Sequence, residues 1–263
     1  MLASVEAIRD LSRFRELLST FTYREVQVKY KQSVMGLAWA VFMPVIIVAS
    51  GALVRFAYSR VSGNPLTLDQ ISRVAVKSIP WAFVVAATRF GSMSLISNRN
   101  LVTKIYFPRV VFPVSAVVSQ LVDFGVAWTL LTIILAIGPG LYWTYLWVPV
   151  LLAILVVLMC GTAVVLSAAC LFFRDVKYIV EVVLTFAIFV TPVFYETTMF
   201  GEHGRLLMLN PVAPILEGLS MAVVDGRAPE PLWVAYSALC AVALVHLGTT
   251  LFRRVEPMFA ETI

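Results

Sequence analysis

The sequence places several ionisable side chains inside long apolar segments, where a charge is costly and usually faces protein or water. Arg89 and Asp123 are the deepest of them. Helical rise puts them about 12 Å and about 18 Å from the nearer ends of their segments. The two could form an ion pair between adjacent helices. Alternatively, Arg89 could line an aqueous passage and meet an anionic group on a transported molecule. For Glu181 and His246, which lie within about two turns of a segment end, we expect interfacial or hydrogen-bonded positions.

Catalytic and nucleotide-binding motifs do not occur in the sequence. It has no phosphate loop of the G-x-x-x-x-G-K-[ST] type, no H-E-x-x-H, no D-x-D and no G-x-S-x-G. Cys160, Cys170 and Cys240 lie in apolar runs without metal-ligand spacing, which is typical of buried small side chains. We therefore expect no catalytic residue, no metal site and no cofactor bound by this chain, which argues against an enzyme.

The composition is that of a membrane protein. Of the 263 residues, 60% are hydrophobic and 13% are charged, with a mean hydropathy of +0.91. Soluble domains carry about 25% charged residues. The net charge of +5 is dispersed between apolar runs, which favours contact with anionic lipid over nucleic acid.

Long apolar runs predict an all-α integral membrane protein with six transmembrane helices, because about twenty helical residues cross the hydrocarbon layer. The segment with Lys77, Pro80 and Arg89 is the least apolar of the six. The predicted spans are 34–56, 75–96, 110–136, 146–173, 177–195 and 232–252.

The N-terminal region predicts an amphipathic helix lying in the membrane interface. At 100° per residue, one face of 1–22 is apolar and the other is polar. The apolar face holds Ala7, Leu11, Phe14, Leu18 and Phe21. We divide the chain into a basic interface segment, 1–33, and a six-span domain, 34–263, which together form a single domain.

The distribution of Lys and Arg predicts that both termini are cytoplasmic, because most basic residues of the connections then lie inside. Outside, 196–231 contains an apolar stretch interrupted by Pro211, Pro214 and Glu217. We expect a re-entrant or outer-surface helical hairpin there, with a helix starting near Pro214.

The inner connection at 98–109 combines basic residues with apolar side chains. Arg99, Lys104 and Arg109 surround Leu101, Ile105, Tyr106 and Phe107. The composition suits a protein interface and equally a loop at the membrane surface. Aromatic residues inside the first and fifth spans likewise allow two interpretations, core or lipid packing and the lining of a passage.

Several strings of the sequence resemble the permease subunits of bacterial polysaccharide ABC exporters, which include O-antigen and teichoic-acid exporters of the type-two permease class. The most specific string is Asn98–Arg109. The others, in matching order and spacing, are Tyr23–Ala40 with Phe42–Pro44, Phe173–Val176, Thr191–Tyr195, Leu209–Gly218 and Phe252–Pro257. Together they cover nearly the full length.

The resemblance implies a homodimer in the bacterial cytoplasmic membrane that pairs with two separate ATPase subunits, which bind the ATP and Mg. It implies that the cargo is a lipid-linked polysaccharide. Three sets of residues acquire expected roles. The ATPase-coupling loop would contain Asn100, Leu101, Lys104, Tyr106, Phe107, Pro108 and Arg109. The channel would be lined by Trp39, Phe42, Phe186, Phe189, Phe194 and Tyr195. The outer gate would contain Pro192, Asn210, Pro211 and Pro214.

A pyrophosphate-bearing lipid head would meet positive charge at the inner interface, from Arg24, Lys29, Lys31 and Arg89. Two other transport functions remain open: an ABC permease for a small drug or lipid, and a stand-alone secondary transporter. A membrane-embedded glycan-processing enzyme is disfavoured, because acid/base motifs are missing.

Overall fold

The computed structural model describes residues 9, 12–31, 33, 35–36, 38–63, 67–104, 107–137, 140 and 142–259, with the backbone alone for Ser62, Thr103 and Lys104. Helices dominate this part of the chain, and it contains no strand. The ten α-helices are α1 Arg15–Tyr30, α2 Ala38–Ser62, α3 Leu68–Ser97, α4 Arg99–Lys104, α5 Val111–Ile137, α6 Trp147–Phe172, α7 Val176–Val190, α8 Gly204–Leu207, α9 Ala213–Val223 and α10 Pro231–Val255. Short 3-10 helices cover Trp143–Leu146, Thr197–His203 and Glu256–Met258.

Five helical segments in the described ranges are long and apolar enough to cross a membrane. They include α2, α3, α5, α6 and α10, so the prediction of an all-helical membrane protein is confirmed. The predicted span 177–195 is a shorter helix, α7, of 15 residues, which rises only about 22 Å. Its backbone becomes extended at Thr191, with φ −100° and ψ 133°, because the α conformation is disfavoured before Pro192.

The predicted second span is longer than its hydropathy suggests. Helix α3 has 30 residues and starts at Leu68, where the Thr67 side chain accepts a hydrogen bond from the Gln70 backbone N–H at 3.4 Å. Such a cap satisfies one of the unpaired amides of the first turn. Pro80 and Lys77 are both buried within the helix, so neighbouring elements must compensate for the missing N–H and for the charge.

The main core lies between α3, α5 and α6, with α10 packed along α6 and α9 packed on α3 and α6. Gly161 in α6 allows α10 to approach closely. A Cβ at this glycine would lie 2.9 Å from the Val245 backbone nitrogen. Small residues at such a contact let two backbones approach within the membrane. As the sequence predicts, α9 begins beside Pro214.

Helix α1 continues eight residues past the predicted end at 22, because its second half packs on α5. Phe21 is buried, and Leu17 and Leu18 pack against the same cluster. Arg13 and Glu16 are exposed. The predicted face residues Ala7 and Leu11 lie outside the described residues, as does most of the predicted helix before Ser12.

A second apolar cluster joins the first and last described helices. Phe21 of α1 and Phe112 of α5 belong to it together with Phe252 of α10 and Phe259. Phe252 and Phe259 meet edge to face, with ring centroids 5.1 Å apart. The start of α1 and the end of α10 are therefore on the same side of the helical bundle.

The α6–α10 contact gives a stability prediction with an internal control. We expect Gly161→Ala to lower the unfolding temperature of the purified protein in detergent, because the added methyl group meets backbone and overpacking costs about 1–3 kcal/mol. Gly125→Ala in α5 has no neighbouring atom within 4 Å of the new Cβ and should gain up to about 1 kcal/mol from helix propensity. Equal shifts in the two variants would contradict this description of the contact.

Candidate functional site

The inner connection is anchored to α1 through a polar contact at its first residue. The Arg24 guanidinium donates a hydrogen bond to the Asn98 side-chain carbonyl, and the Asn98 amide donates to the Ser94 carbonyl at 2.8 Å. Asn98 thereby closes α3 and connects it with α1. Asn100 and Leu101 follow in α4, whereas Tyr106 and the Lys104 side chain lie outside the described residues.

Aromatic rings hold the second half of this connection. Phe107 stacks on Phe21 with centroids 5.8 Å apart and meets Phe112 at 5.3 Å. The ring centroids of Phe21 and Phe112 are 5.1 Å apart. Each such pair contributes about 0.5–1.5 kcal/mol beyond its buried area. The trio fixes the connection between α1 and the start of α5.

Arg109 is directed toward its own chain. Its backbone N–H donates to the Glu256 carboxylate at 3.1 Å, and its guanidinium donates to the Glu256 carbonyl at 2.6 Å and the Val102 carbonyl at 3.2 Å. From the sequence, Arg109 was expected to contribute to an ATPase-coupling loop. In the fold it connects the loop to the end of α10.

A cavity of about 650 Å³ opens beside the loop. Phe107, Pro108 and Arg109 form one wall, and α10 with its following residues forms the opposite wall. Phe14 lies at the α1 side. The cavity is mostly apolar with a few charged groups, a composition that suits an inserted side chain from another protein.

Three of the four predicted headgroup residues have partners in this chain. Arg24 contacts Asn98. Lys29 forms an ion pair with Asp123 and donates to the Gln120 side-chain oxygen at 3.0 Å. Arg89 pairs with Glu181. Lys31 is exposed immediately after α1.

The possible Arg89–Asp123 pair is therefore wrong. Asp123 instead pairs with the Lys29 ammonium and accepts a hydrogen bond from the Tyr30 hydroxyl, because α1 extends far enough along α5 to reach it. Burial raises the pKa of Tyr30, and the hydrogen bond to Asp123 raises it further. Burial also raises the pKa of Glu25 on the same helix, while the Ser119 hydroxyl and Arg24 oppose the shift.

The predicted channel aromatics fall into two groups. Trp39, Phe42, Phe186 and Phe189 are exposed, the last two by 62% and 68%. By contrast, Phe194 packs against the main core. The Tyr195 hydroxyl donates to the Phe189 carbonyl at 2.7 Å, so Tyr195 ties the end of α7 to the segment that follows.

The predicted outer-gate residues are fixed by buried contacts. Pro192 and Pro214 are buried. Asn210 donates to the Thr191 hydroxyl at 2.9 Å, and its carbonyl caps the Val212 N–H at 3.1 Å. The Pro211 carbonyl accepts from Ser237 of α10 at 2.9 Å. These contacts join the residues after α7 to α9 and α10.

An ion cluster, called here the outer ion cluster, lies toward the end of α3 that is remote from the 98–109 connection, and it was not predicted from the sequence. Lys77 of α3 is 1% exposed, and its ammonium lies 2.8 Å from the Glu217 carboxylate of α9. It also donates to the Tyr195 carbonyl at 3.2 Å. The second Glu217 oxygen accepts the Thr197 backbone N–H at 3.1 Å. The sequence does contain a signal for this pair, namely one cation and one carboxylate in separate apolar segments. Each needs a partner when it is buried.

Two arginines extend this outer ion cluster. Arg55 of α2 is 5% exposed and lies 3.2 Å from Glu196. Arg73 of α3 contacts Asp225 at 2.6 Å and approaches Glu196 at 3.9 Å. Three cations and three carboxylates thus connect α2, α3 and α9 with the residues on either side of α8 and α9.

Comparison with known proteins gives consistent similarities. A family model described as ABC-2 type transporter matches residues 16–224. An O-antigen export system permease protein RfbA from Myxococcus xanthus is 27% identical over 98% of this chain and 100% of its own length. Two proteins of the same name from Klebsiella pneumoniae are 23% and 24% identical, covering 99% and 97% of this chain. The family match includes the inner connection and every residue of the outer ion cluster except Asp225.

The Lys77–Glu217 pair yields a double-mutant prediction. Lys77→Met and Glu217→Leu should each lower the free energy of unfolding by about 3–5 kcal/mol, because each leaves a buried charge alone. The double variant should recover part of the loss, since both charges are then gone. Thermal unfolding of the wild type, the two single variants and the double variant in detergent measures these differences.

Lys31→Met serves as the control, because this exposed lysine should change stability by at most about 0.5 kcal/mol. A double variant that is as unstable as the sum of the single variants would contradict the pairing.

Proposed function

This chain belongs to the ABC-2 type transporter family, and from that premise we propose that it is the permease subunit for ATP-driven export of a lipid-linked polysaccharide. Two copies form the conduit across the bacterial cytoplasmic membrane. Separate ATPase subunits bind ATP and Mg and supply the energy. The observation that carries the proposal is the similarity, along 97–99% of this chain, to three permeases of O-antigen export systems.

Six crossings with both termini in the cytoplasm are part of the proposal. Helix α6 ends and α10 begins on opposite sides of the bundle, so the chain between them must cross, and α7 is the helix available for this. The shared cluster of Phe21 and Phe259 supports an even number of crossings. The basic residues Arg253 and Arg254 at the end of α10 agree with a cytoplasmic position.

The inner connection is the proposed docking site for the ATPase subunits. Its contacts with α1, α5 and Glu256 make it a rigid projection, so that a push on it reaches several helices together. Phe107 and Pro108 border a cavity of about 650 Å³, into which a side chain of the ATPase can insert. Arg109 and Asn98 position the connection, while the exposed part of α4 and the cavity-lining face of Phe107 make the contact.

The conduit is proposed to run along α2 and α7, which expose Trp39, Phe42, Phe186 and Phe189. Aromatic faces suit sugar rings that must slide past without strong binding. The outer ion cluster would hold the segment from Thr191 to Val224 over the outer mouth. Arg24, Lys29, Lys31 and Arg89 supply positive charge where the lipid head enters.

The proposed activity predicts a specific deletion phenotype in the source bacterium. Loss of this chain should remove the polysaccharide from the cell surface and leave lipid-linked glycan in the cytoplasmic membrane. Immunoblotting of surface glycan and mass spectrometry of extracted lipids measure the two pools. A strain that keeps its surface glycan but loses drug tolerance or a different lipid would identify another cargo and overturn the proposal.

The coupling role predicts a separation of binding from folding. Phe107→Ala should weaken binding of the ATPase subunit by about 30-fold, as expected for an interface anchor worth about 2 kcal/mol. Titration of the purified permease with its ATPase gives the affinity. Phe173→Ala, which alters an exposed phenylalanine of the other inner connection, is the control. The proposed docking site is wrong if Phe173→Ala weakens binding and Phe107→Ala does not.

A further inference from the structure

Arg89 of α3 and Glu181 of α7 form a two-pronged ion pair in the inner half of the bundle. The Arg89 Nε–H donates to one Glu181 oxygen at 2.7 Å, and an Nη2–H donates to the other at 2.7 Å. Both carboxylate oxygens and one edge of the guanidinium, with its two N–H donors, are thus engaged. This parallel arrangement is the strongest geometry that the two groups can adopt.

The pair is open on one side. The two side chains are 49% and 47% exposed in the single chain, although Arg89 lies about 12 Å from the inner end of α3. Charges at this depth do not face hydrocarbon, because the cost is several kcal/mol. The open side must border water, protein or a polar cargo.

Helix α7 has few other attachments. Of its 15 residues, only Val180 and Leu184 are buried, and its packing neighbours are α3 and α6. Most of its apolar side chains, among them Val182 and Val183, are exposed. The Arg89–Glu181 pair is therefore the principal polar connection between the start of α7 and the rest of the bundle.

We propose that Arg89 and Glu181 are an exchangeable pair, in which a phosphate group of the cargo displaces the Glu181 carboxylate from Arg89 as the cargo enters. This inference rests on the proposed export function and assigns Glu181 the role of an internal competitor for the lipid head. Release of Glu181 frees α7 from α3. Cargo binding is thereby connected to movement of the helix that borders the conduit.

The geometry suits a phosphate group. A guanidinium presents two parallel N–H donors that fit two oxygens of a phosphate as well as those of a carboxylate. Glu181 occupies the Nε–Nη2 edge of Arg89, so a phosphate that binds at this edge competes with it directly. An uncharged lipid cannot displace the carboxylate, because it offers no negative charge to replace it.

The test uses the permease with its ATPase subunits in nanodiscs of phosphatidylcholine and titrates undecaprenyl pyrophosphate, with undecaprenol as the uncharged comparison. Glu181→Gln should bind the pyrophosphate about three- to tenfold more tightly, because the competitor is removed. Arg89→Gln should lose most of the wild type's preference for pyrophosphate over the alcohol, and only the part that comes from Arg24, Lys29 and Lys31 should remain. Glu202→Gln, which changes an exposed carboxylate of the outer side, should bind as the wild type does.

The charge swap Arg89→Glu with Glu181→Arg separates binding from a purely structural connection. It should restore the unfolding temperature lost in Arg89→Gln without restoring the preference for pyrophosphate, because the cation then sits on α7. A swap that binds pyrophosphate like the wild type, or a Glu181→Gln variant that binds no more tightly, overturns the inference. Equal competition by phosphatidylglycerol assigns the site to membrane lipid and also overturns it.

Failure of the export proposal is detected independently. A deletion strain that keeps its surface polysaccharide refutes the function regardless of the titration. A strain that loses it, combined with unchanged binding in the Glu181→Gln variant, refutes the exchange alone.

Discussion

The low polarity of the bilayer makes an unpaired charge within the helical bundle costly, and the ion pairs that avoid this cost organise the bundle. Each ion pair joins two different elements, so satisfying the charges also fixes which helices are neighbours. At the outer side the pairs hold α9 and the segment after α7 against α2 and α3. At the inner side they hold α1 on α5 and α7 on α3. The pairs are Lys77–Glu217, Arg55–Glu196, Arg73–Asp225, Lys29–Asp123 and Arg89–Glu181.

The sequence predicted the helices well because apolar length and composition are local properties. Depth along a helix is also local, which is why Arg89 and Asp123 could be placed correctly along their helices. The direction in which each side chain points around the helix axis depends on packing. Lys29 lies beyond residue 22, where the predicted N-terminal helix ends, so its reach to Asp123 could not be inferred from the sequence. The positions of Arg89 and Asp123 along their helices were therefore predicted correctly, whereas their ion-pair partners were not.

The inner connection illustrates the same division at the candidate site. Its residues and boundaries were predicted from a recognisable string, and the structure does describe a short helix followed by Phe107 and Pro108. The direction of Arg109 could not be predicted, because its partner Glu256 is 147 residues away in the chain. The outer ion cluster was missed for a related reason. Lys77 and Glu217 were each noticed as interruptions of apolar segments, and only the fold brings them together.

The shortness of α7 has a mechanical consequence for the surrounding bilayer. The helix rises about 22 Å against a hydrocarbon thickness of about 30 Å. As the sixth crossing proposed above, α7 would have a hydrophobic mismatch with the bilayer, which local thinning or hydration of the non-helical backbone after Val190 would resolve. Either response shortens the stretch over which a hydrophilic polymer is separated from water. The barrier to passage of the polymer is then confined to a thin apolar layer near the inner end of α7.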